Sequence, residues 1–234
     1  MSVAAAAIVA ERVRAKPDVV LLLPTGTTPL GMYERLVELH REEDLSFALA
    51  TFFNLDEYLR LAPDHPASYH VYMQENFYGP VDADPERVHV PDGSAPDPEA
   101  ECERYEAAIR EAGGVDLAVL GIGRNGHIGF NEPGAPFGSR TRVVRLAEST
   151  RRVNAEDFEG NRAPERAITV GMATIFEARE VLLLASGANK ARAVAAAVEG
   201  EISEAVPASM LRQHPNTTFL LDAEAAAALS LGDA

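Results

Sequence analysis

The sequence predicts an α/β fold: a single domain, residues 1–234, built on one parallel sheet with helices on both faces. Short apolar runs of strand length recur at Val19–Leu23, Ala48–Asn54, Val115–Leu120, Val181–Ala185 and Thr217–Leu221. Helical patterns alternate with these runs, the order produced by strand–helix–strand crossovers in a parallel sheet. Several of the runs stop at loops rich in glycine, hydroxyl or ionisable side chains, and loops at strand ends are where such sheets carry ligands.

Residues Val3–Lys16 read as an Ala-rich helix ended by Pro17. The first strand opens into Pro24-Thr25-Gly26-Thr27-Thr28-Pro29-Leu30-Gly31, followed by a helix from Met32 to His40. A strand, a glycine-and-hydroxyl turn and a helix N-terminus make a place where free N–H groups and the helix dipole hold an anion. The competing reading makes the threonines helix caps and nothing more. The Walker lysine and the dinucleotide glycine spacing are both missing, so neither an NTP nor NAD is indicated. After the second strand comes Asp56-Glu57-Tyr58. Adjacent carboxylates at a strand end suit a general base with a supporting acid, although such a pair is often a solvated turn. A helix follows at Tyr69–Phe77, then a loop from Val81 to Pro96 with a short strand at Val88–Val90, then an acidic amphipathic helix at Asp97–Ala112. His65, His70, His89 and His214 read as structural or surface side chains.

The chain is organised around Val115–Pro133. Its apolar first half reads as a buried strand. Its second half, Gly121-Ile122-Gly123-Arg124-Asn125-Gly126-His127-Ile128-Gly129-Phe130-Asn131-Glu132-Pro133, packs an imidazole, a carboxylate and two amides among glycines that let backbone approach a ligand. Residues 134–166 read as a lid segment: a flexible loop, a basic strand at Arg140–Leu146, then a polar stretch with one helix, suited to a mobile cover. Ile168–Met172 leads on to the strand at Val181–Ala185. Ser186-Gly187-Ala188-Asn189-Lys190 is a second strand–turn–helix junction, continuing as a helix at Ala191–Val198. Lys190, one of two lysines in the chain, stands in a first turn where acids are usual, which suggests an anion to meet. A helix at Asp222–Leu229 closes the chain.

Composition narrows the function. With a formal charge of -15 the chain lacks the electrostatic footprint of a nucleic-acid binder. A small anionic ligand remains possible, because local donors outweigh a distant field beyond a Debye length of roughly 8 Å. One cysteine, Cys102, forms no disulfide within the chain, and a reducing, cytoplasmic setting is expected. No apolar run reaches membrane-spanning length, and no spacing of His, Cys and carboxylates suggests a metal site.

Taken with Phe53-Asn54-Leu55-Asp56-Glu57-Tyr58, His65-Pro66-Ala67-Ser68-Tyr69 and Ala196-Ala197-Val198-Glu199-Gly200, the loops quoted above closely resemble the glucosamine-6-phosphate deaminase family, in the same order from about Val19 to Leu221. The resemblance implies a Rossmann-like sheet and the conversion of glucosamine 6-phosphate and water to fructose 6-phosphate and ammonia, without cofactor or metal. It makes His127 the proton shuttle that opens the sugar ring, with Glu132 and Asn125 completing the relay. It makes Asp56 the base that moves a proton from C2 to C1, with Glu57 as its support. Thr25, Gly26, Thr27, Thr28, Gly129 and Lys190 would bind the substrate and its phosphate.

Departures from the family pattern define what to look for. Asn125 stands where some relatives have aspartate, and an amide adds no negative charge beside His127. Glu156 stands where the family's cover usually carries a phosphate-contacting arginine. Ala135, Pro136 and Val144 replace the polar contacts associated with allosteric activation in large hexameric relatives. The resemblance therefore implies a monomer or low-order homo-oligomer without activation by N-acetylglucosamine 6-phosphate. Alternative readings are action on galactosamine 6-phosphate, a 6-phosphogluconolactonase, and a non-catalytic sugar-phosphate sensor. The segment Phe130-Asn131-Glu132-Pro133 argues against the lactonase, and the lack of a basic helix-turn-helix argues against the sensor.

Overall fold

The computed structural model of the chain describes all residues except Glu156, Asp157, Glu159, Asn161 and residues 231–234. Six parallel strands form the main sheet: β1 (Val20–Leu23), β2 (Thr51–Asn54), β4 (Val88–His89), β5 (Leu117–Gly121), β8 (Glu180–Ala185) and β9 (Thr217–Leu221), in the order β4-β2-β1-β5-β8-β9. Starting from β1, the chain builds outward through β2 and β4, then returns to the other side of β1 to add β5, β8 and β9. The strand order therefore reverses between β1 and β5, the position at whose carboxyl end open α/β sheets carry ligands.

Alternation along the strands divides the core in two. Leu21, Leu23, Phe52, Leu117 and Val119 face one layer with α1 (Ser2–Ala15) and α2 (Leu30–Glu42). Val20, Leu22, Phe53, Ala118 and Leu120 face the other, with α4 (Pro98–Glu111), α6 (Met172–Phe176) and α7 (Ala191–Val198). All four residues of β1 are buried, as a central parallel strand covered on both faces requires.

The expectation of one sheet needs correction. Asp56–Tyr58 is not a turn at the end of β2 but a strand, β3, in a second, antiparallel sheet of order β3-β7-β6, with β7 at Arg166–Thr169 and β6 at Arg142–Arg145. Leu55 is the joint between the sheets: its N–H donates to Leu23 O at 3.1 Å, and its carbonyl accepts from Val170 N at 2.7 Å. The expected helix at Tyr69–Phe77 is α-helical over α3 (Tyr69–Met73) and π-helical over Gln74–Tyr78. The terminal helix expected at Asp222–Leu229 is a series of turns. There the Asp222 carboxylate binds the 186–187 loop, accepting from Ser186 Oγ at 2.7 Å and Gly187 N at 3.0 Å. Among the described residues, no helix is long and apolar enough to cross a membrane.

Candidate active site

Four expected site segments follow four adjacent strands: Asp56 after β2, Thr25–Thr28 after β1, the 122–133 loop after β5, and Lys190 after β8. The fold thus brings them to one edge of the sheet, across the point where strand order reverses.

The 24–29 loop does not cap its helix with a threonine. Pro29 occupies the N-cap of α2 and makes no side-chain cap hydrogen bond, which argues against the capping explanation for Thr25, Thr27 and Thr28. Gly26 adopts φ +89°, a conformation that suits glycine. Tyrosines secure the loop from behind. Tyr33 Oη donates to Pro24 O at 2.5 Å and Tyr72 Oη to Gly26 O at 2.6 Å, while Tyr69 interacts with Thr25. Beyond the end of β8, Lys190 Nζ donates to Ile122 O at 2.7 Å. Burial lowers the Lys190 ammonium pKa, and the neighbouring Arg124 guanidinium lowers it further. An arriving phosphate would relieve both effects. Arg124 drew no attention in the sequence, although an arginine between Gly123 and Asn125 was there to be noticed.

Asp56 is 5% exposed, and among the described residues no side chain hydrogen-bonds its carboxylate. Burial pushes its pKa well above the ordinary carboxylate range, and Glu57 pushes it further. Gly129, at φ +55°, lies against it: a Cβ there would sit 3.2 Å from Asp56 Oδ2 and 3.0 Å from Thr169 Oγ1. The neighbouring Glu57 points elsewhere, as strand alternation demands. Its oxygens accept from Tyr58 N at 2.8 Å and His70 N at 3.1 Å. Glu57 therefore anchors the helix that carries Tyr69 and Tyr72, and burial raises its pKa to about 7 against the pull of those backbone donors.

His127 packs over Gly123 so closely that a Cβ on Gly123 would come within 2.2 Å of the imidazole; the glycine makes the room. His127 Nδ1 stands 3.4 Å from Glu132 Oε2 and, among the described residues, makes no hydrogen bond. Asn125 Nδ2 donates to the same oxygen at 2.7 Å, and Asn125 Oδ1 accepts from His127 N at 3.3 Å. The Thr150 hydroxyl donates to the other oxygen, Oε1. Burial alone would raise the Glu132 pKa, but the contacts from His127, Thr150 and Asn125 outweigh it and hold the carboxyl at about 2. Asn131, the second amide of the motif, serves the fold. Its Nδ2 donates to Ile128 O and Val170 O at 3.0 and 2.8 Å, and its Oδ1 accepts from Arg142 Nη1 at 2.8 Å.

The segment read as a lid contributes β6 to the second sheet and a short helix, α5 (Glu148–Val153). Thr150 and Asn154 reach from it into the site, and Asn154 Nδ2 donates to Tyr58 Oη at 2.8 Å. Neither residue stood out in the sequence, because a threonine and an asparagine in a polar stretch read as solvated. Glu156 lies outside the described residues. Three other histidines are structural: His65 Nδ1 accepts from Ala67 N, His214 Nε2 contacts Ala178 O at 2.8 Å, and the His89 ring stacks on Phe53. Among the described residues, no cluster of three His, Cys or carboxylate side chains is arranged to hold a metal.

An anion-ready loop, a desolvated carboxylate and a histidine–glutamate pair on one sheet edge define an enzyme rather than a simple binding module. A model of the glucosamine-6-phosphate isomerases/6-phosphogluconolactonase family matches residues 1–220, and the chain belongs to that family. It is 52% identical over 230 residues to a glucosamine-6-phosphate deaminase of Halothermothrix orenii, covering 98% of this chain and 95% of the relative. Glucosamine-6-phosphate deaminase 1 of Bacillus subtilis is 50% identical, with 97% and 94% covered. Among solved structures, a monomeric glucosamine-6-phosphate deaminase superposes with a TM-score of 0.95 at 50% identity, covering 97% of this chain and 95% of its own. The 6-phosphogluconolactonase of Trypanosoma brucei shares the fold, with a TM-score of 0.75 at 24% identity over 98% and 94% of the two chains.

Proposed function

We propose that this chain converts glucosamine 6-phosphate and water to fructose 6-phosphate and ammonia. The observation that carries the reading is the placement of Asp56, buried, against Gly129 on the same loop as the His127–Glu132 pair.

In this reading the substrate's phosphate lies at Gly26, Thr27, Thr28 and Lys190, and the binding energy gathered there positions the sugar. Thr25 supports the loop, and Gly129 leaves room for the sugar beside Asp56. His127 takes a proton from the anomeric hydroxyl and returns it to the ring oxygen, opening the ring; Glu132, held by Asn125, stabilises the imidazolium that forms between the two transfers. Asp56 removes the C2 proton. The electron pair shifts toward C1, the carbonyl oxygen gains a proton, and the enolamine is then protonated at C1. The resulting imine at C2 adds water and expels ammonia. Carbon 1 is reduced as carbon 2 is oxidised, so the sequence needs no external redox partner. A carboxylate with a raised pKa is a stronger base than an exposed one, which is the property the C2 step demands.

Residues 134–166 form the cover of the site in this reading, within one domain. The chain acts as a monomer, as the solved relative at 50% identity is described, and in the cytoplasm, where a phosphorylated amino sugar is available. The test is a substrate panel assayed for ammonia release and for lactone hydrolysis: glucosamine 6-phosphate, galactosamine 6-phosphate and 6-phosphogluconolactone. Ammonia from the glucosamine ester, with little from its C4 epimer and no lactone hydrolysis above background, is expected. Lactone hydrolysis without ammonia would overturn the reading.

A further inference from the structure

The short helix α5 touches the site at two points. From its middle, Thr150 donates its hydroxyl to Glu132 Oε1, the carboxylate oxygen turned away from Asn125 and His127. From its C-cap, Asn154 Nδ2 donates to Tyr58 Oη at 2.8 Å; Tyr69 Oη donates to the same oxygen at 3.1 Å, and Tyr69 in turn meets Thr25. One six-residue helix is thus joined to the proton-transfer pair by one side chain and to the phosphate loop by another.

Thr150 is 7% exposed. In a helix a threonine hydroxyl commonly bonds back to a carbonyl of the preceding turn; here it leaves its own helix to meet a carboxylate contributed by another loop. The contact fixes the rotation of the Glu132 carboxylate. With Oε1 taken by Thr150 and Oε2 by Asn125, the plane that faces His127 is set from both sides. Hydrogen bonds to a charged acceptor are stronger than those between neutral groups, so this one orients as well as stabilises.

We infer that Thr150 is a positioning residue that makes the geometry of the Glu132–His127 pair depend on the seating of α5. The inference rests on the proposed deaminase reading for its kinetic consequence. Thr150 acts on the chemical step, through Glu132, while Asn154 acts on substrate binding, through Tyr58, Tyr69 and the phosphate loop. The two functions of the site are thereby coupled through one element that belongs to neither loop.

The experiment compares wild type with Thr150→Val, Thr150→Ser and Asn154→Ala, measuring ammonia release from glucosamine 6-phosphate and the nuclear magnetic resonance signals of the His127 imidazole. Thr150→Val keeps the shape and removes the hydroxyl. Its kcat is expected to fall about tenfold to a hundredfold, the size of losing one hydrogen bond to a charged group, with KM little changed. Thr150→Ser should restore most of the loss. Asn154→Ala should raise KM and leave kcat near wild type. The His127 resonances should shift in Thr150→Val and stay in place in Asn154→Ala. A Thr150→Val enzyme with wild-type kcat, or Val and Ser variants impaired alike, would overturn the inference, as would unmoved imidazole signals. Wild-type protein that releases no ammonia would sink the deaminase reading instead, and the imidazole signals alone would then decide the role of Thr150.

Discussion

Asp56 is a carboxylate kept where ionisation is costly, and the same burial that strains it equips it. Its raised pKa comes from desolvation first and from Glu57 second, and Glu57 itself is raised from 4.5 to about 7. Both shifts have the same sign. The folded state binds these protons more tightly than the unfolded chain does, so the stability they lend is complete at low pH and is lost as pH climbs through the folded pKa values. For Glu57 the window runs from about 4.5 to about 7, and the loss across it is about 3 kcal/mol. A base must be ionised to act, so activity gains where stability declines. We expect kcat/KM to rise with pH through a limb above the ordinary carboxylate range, while the melting temperature falls over the same interval. Glu57→Gln should flatten part of the melting profile and move the kinetic limb of Asp56 to lower pH, because the neighbouring charge that raises Asp56 is gone. Paired pH–rate and thermal-melt profiles check both. At this scale the sequence was informative: Asp56, Asn125, His127, Glu132 and Lys190 all fall at one edge. It gave no hint that Asn131 is structural or that Glu57 anchors α3, because adjacent residues in a strand face opposite ways and nothing local announces a strand of three residues.

Among the elements, α3 with its π-helical continuation is the one whose role was hidden. Two of its tyrosines brace the 24–29 loop: Tyr72 through Gly26 O and Tyr69 through Thr25. Glu57 holds its first turn by the His70 N–H. Tyr72→Phe removes one hydroxyl and leaves the ring, so the loop loses part of its preorganisation without losing packing. The expected result is a KM for glucosamine 6-phosphate raised about fivefold to tenfold with kcat nearly unchanged, the signature of lost binding common to ground and transition states. Steady-state kinetics checks it. The elements that sequence pattern revealed are the parallel strands, whose apolar runs stop at loops. The second sheet escaped notice because β3 pairs with β7 across more than a hundred residues, Asp56 opposite Thr169, and a non-local pairing leaves no periodicity to read. The expected C-terminal helix failed for another reason: eight Ala-rich residues are too few to offset helix nucleation by propensity, although Asp222 Oδ1 still accepts from Ala225 N at 2.7 Å.

For the whole molecule, the reversal of strand order between β1 and β5 explains why residues far apart in sequence meet. The four site loops leave adjacent strands in the same direction, so the topology gathers them without any of them being near another in the chain. The formal charge of -15 does not exclude local cations: Arg124 lies close enough to Lys190 to lower its pKa, and in the proposed reading these two meet the anionic substrate. The protein should sediment as a monomer and show hyperbolic kinetics indifferent to N-acetylglucosamine 6-phosphate. Analytical ultracentrifugation with and without that compound, beside saturation curves, checks this; a hexamer or a sigmoidal curve would contradict it. The alternation of strands and loops made the architecture legible in the sequence, and motif order pointed to the family. The bracing of the site from α3 and α5 was not legible, since it depends on side chains that make sense only once the sheet edge exists.

The central claim is that Asp56 is the base in an isomerising deamination. It is tested most directly by ammonia release from glucosamine 6-phosphate by Asp56→Asn, an isosteric change at a buried site, with substrate binding measured in parallel by calorimetry. The account predicts that the variant binds the sugar phosphate within a few-fold of wild type and releases ammonia at least about a thousandfold more slowly, a barrier increase of about 4 kcal/mol. A variant that keeps wild-type turnover would contradict it, because the carboxylate at this position would then have no part in moving the C2 proton.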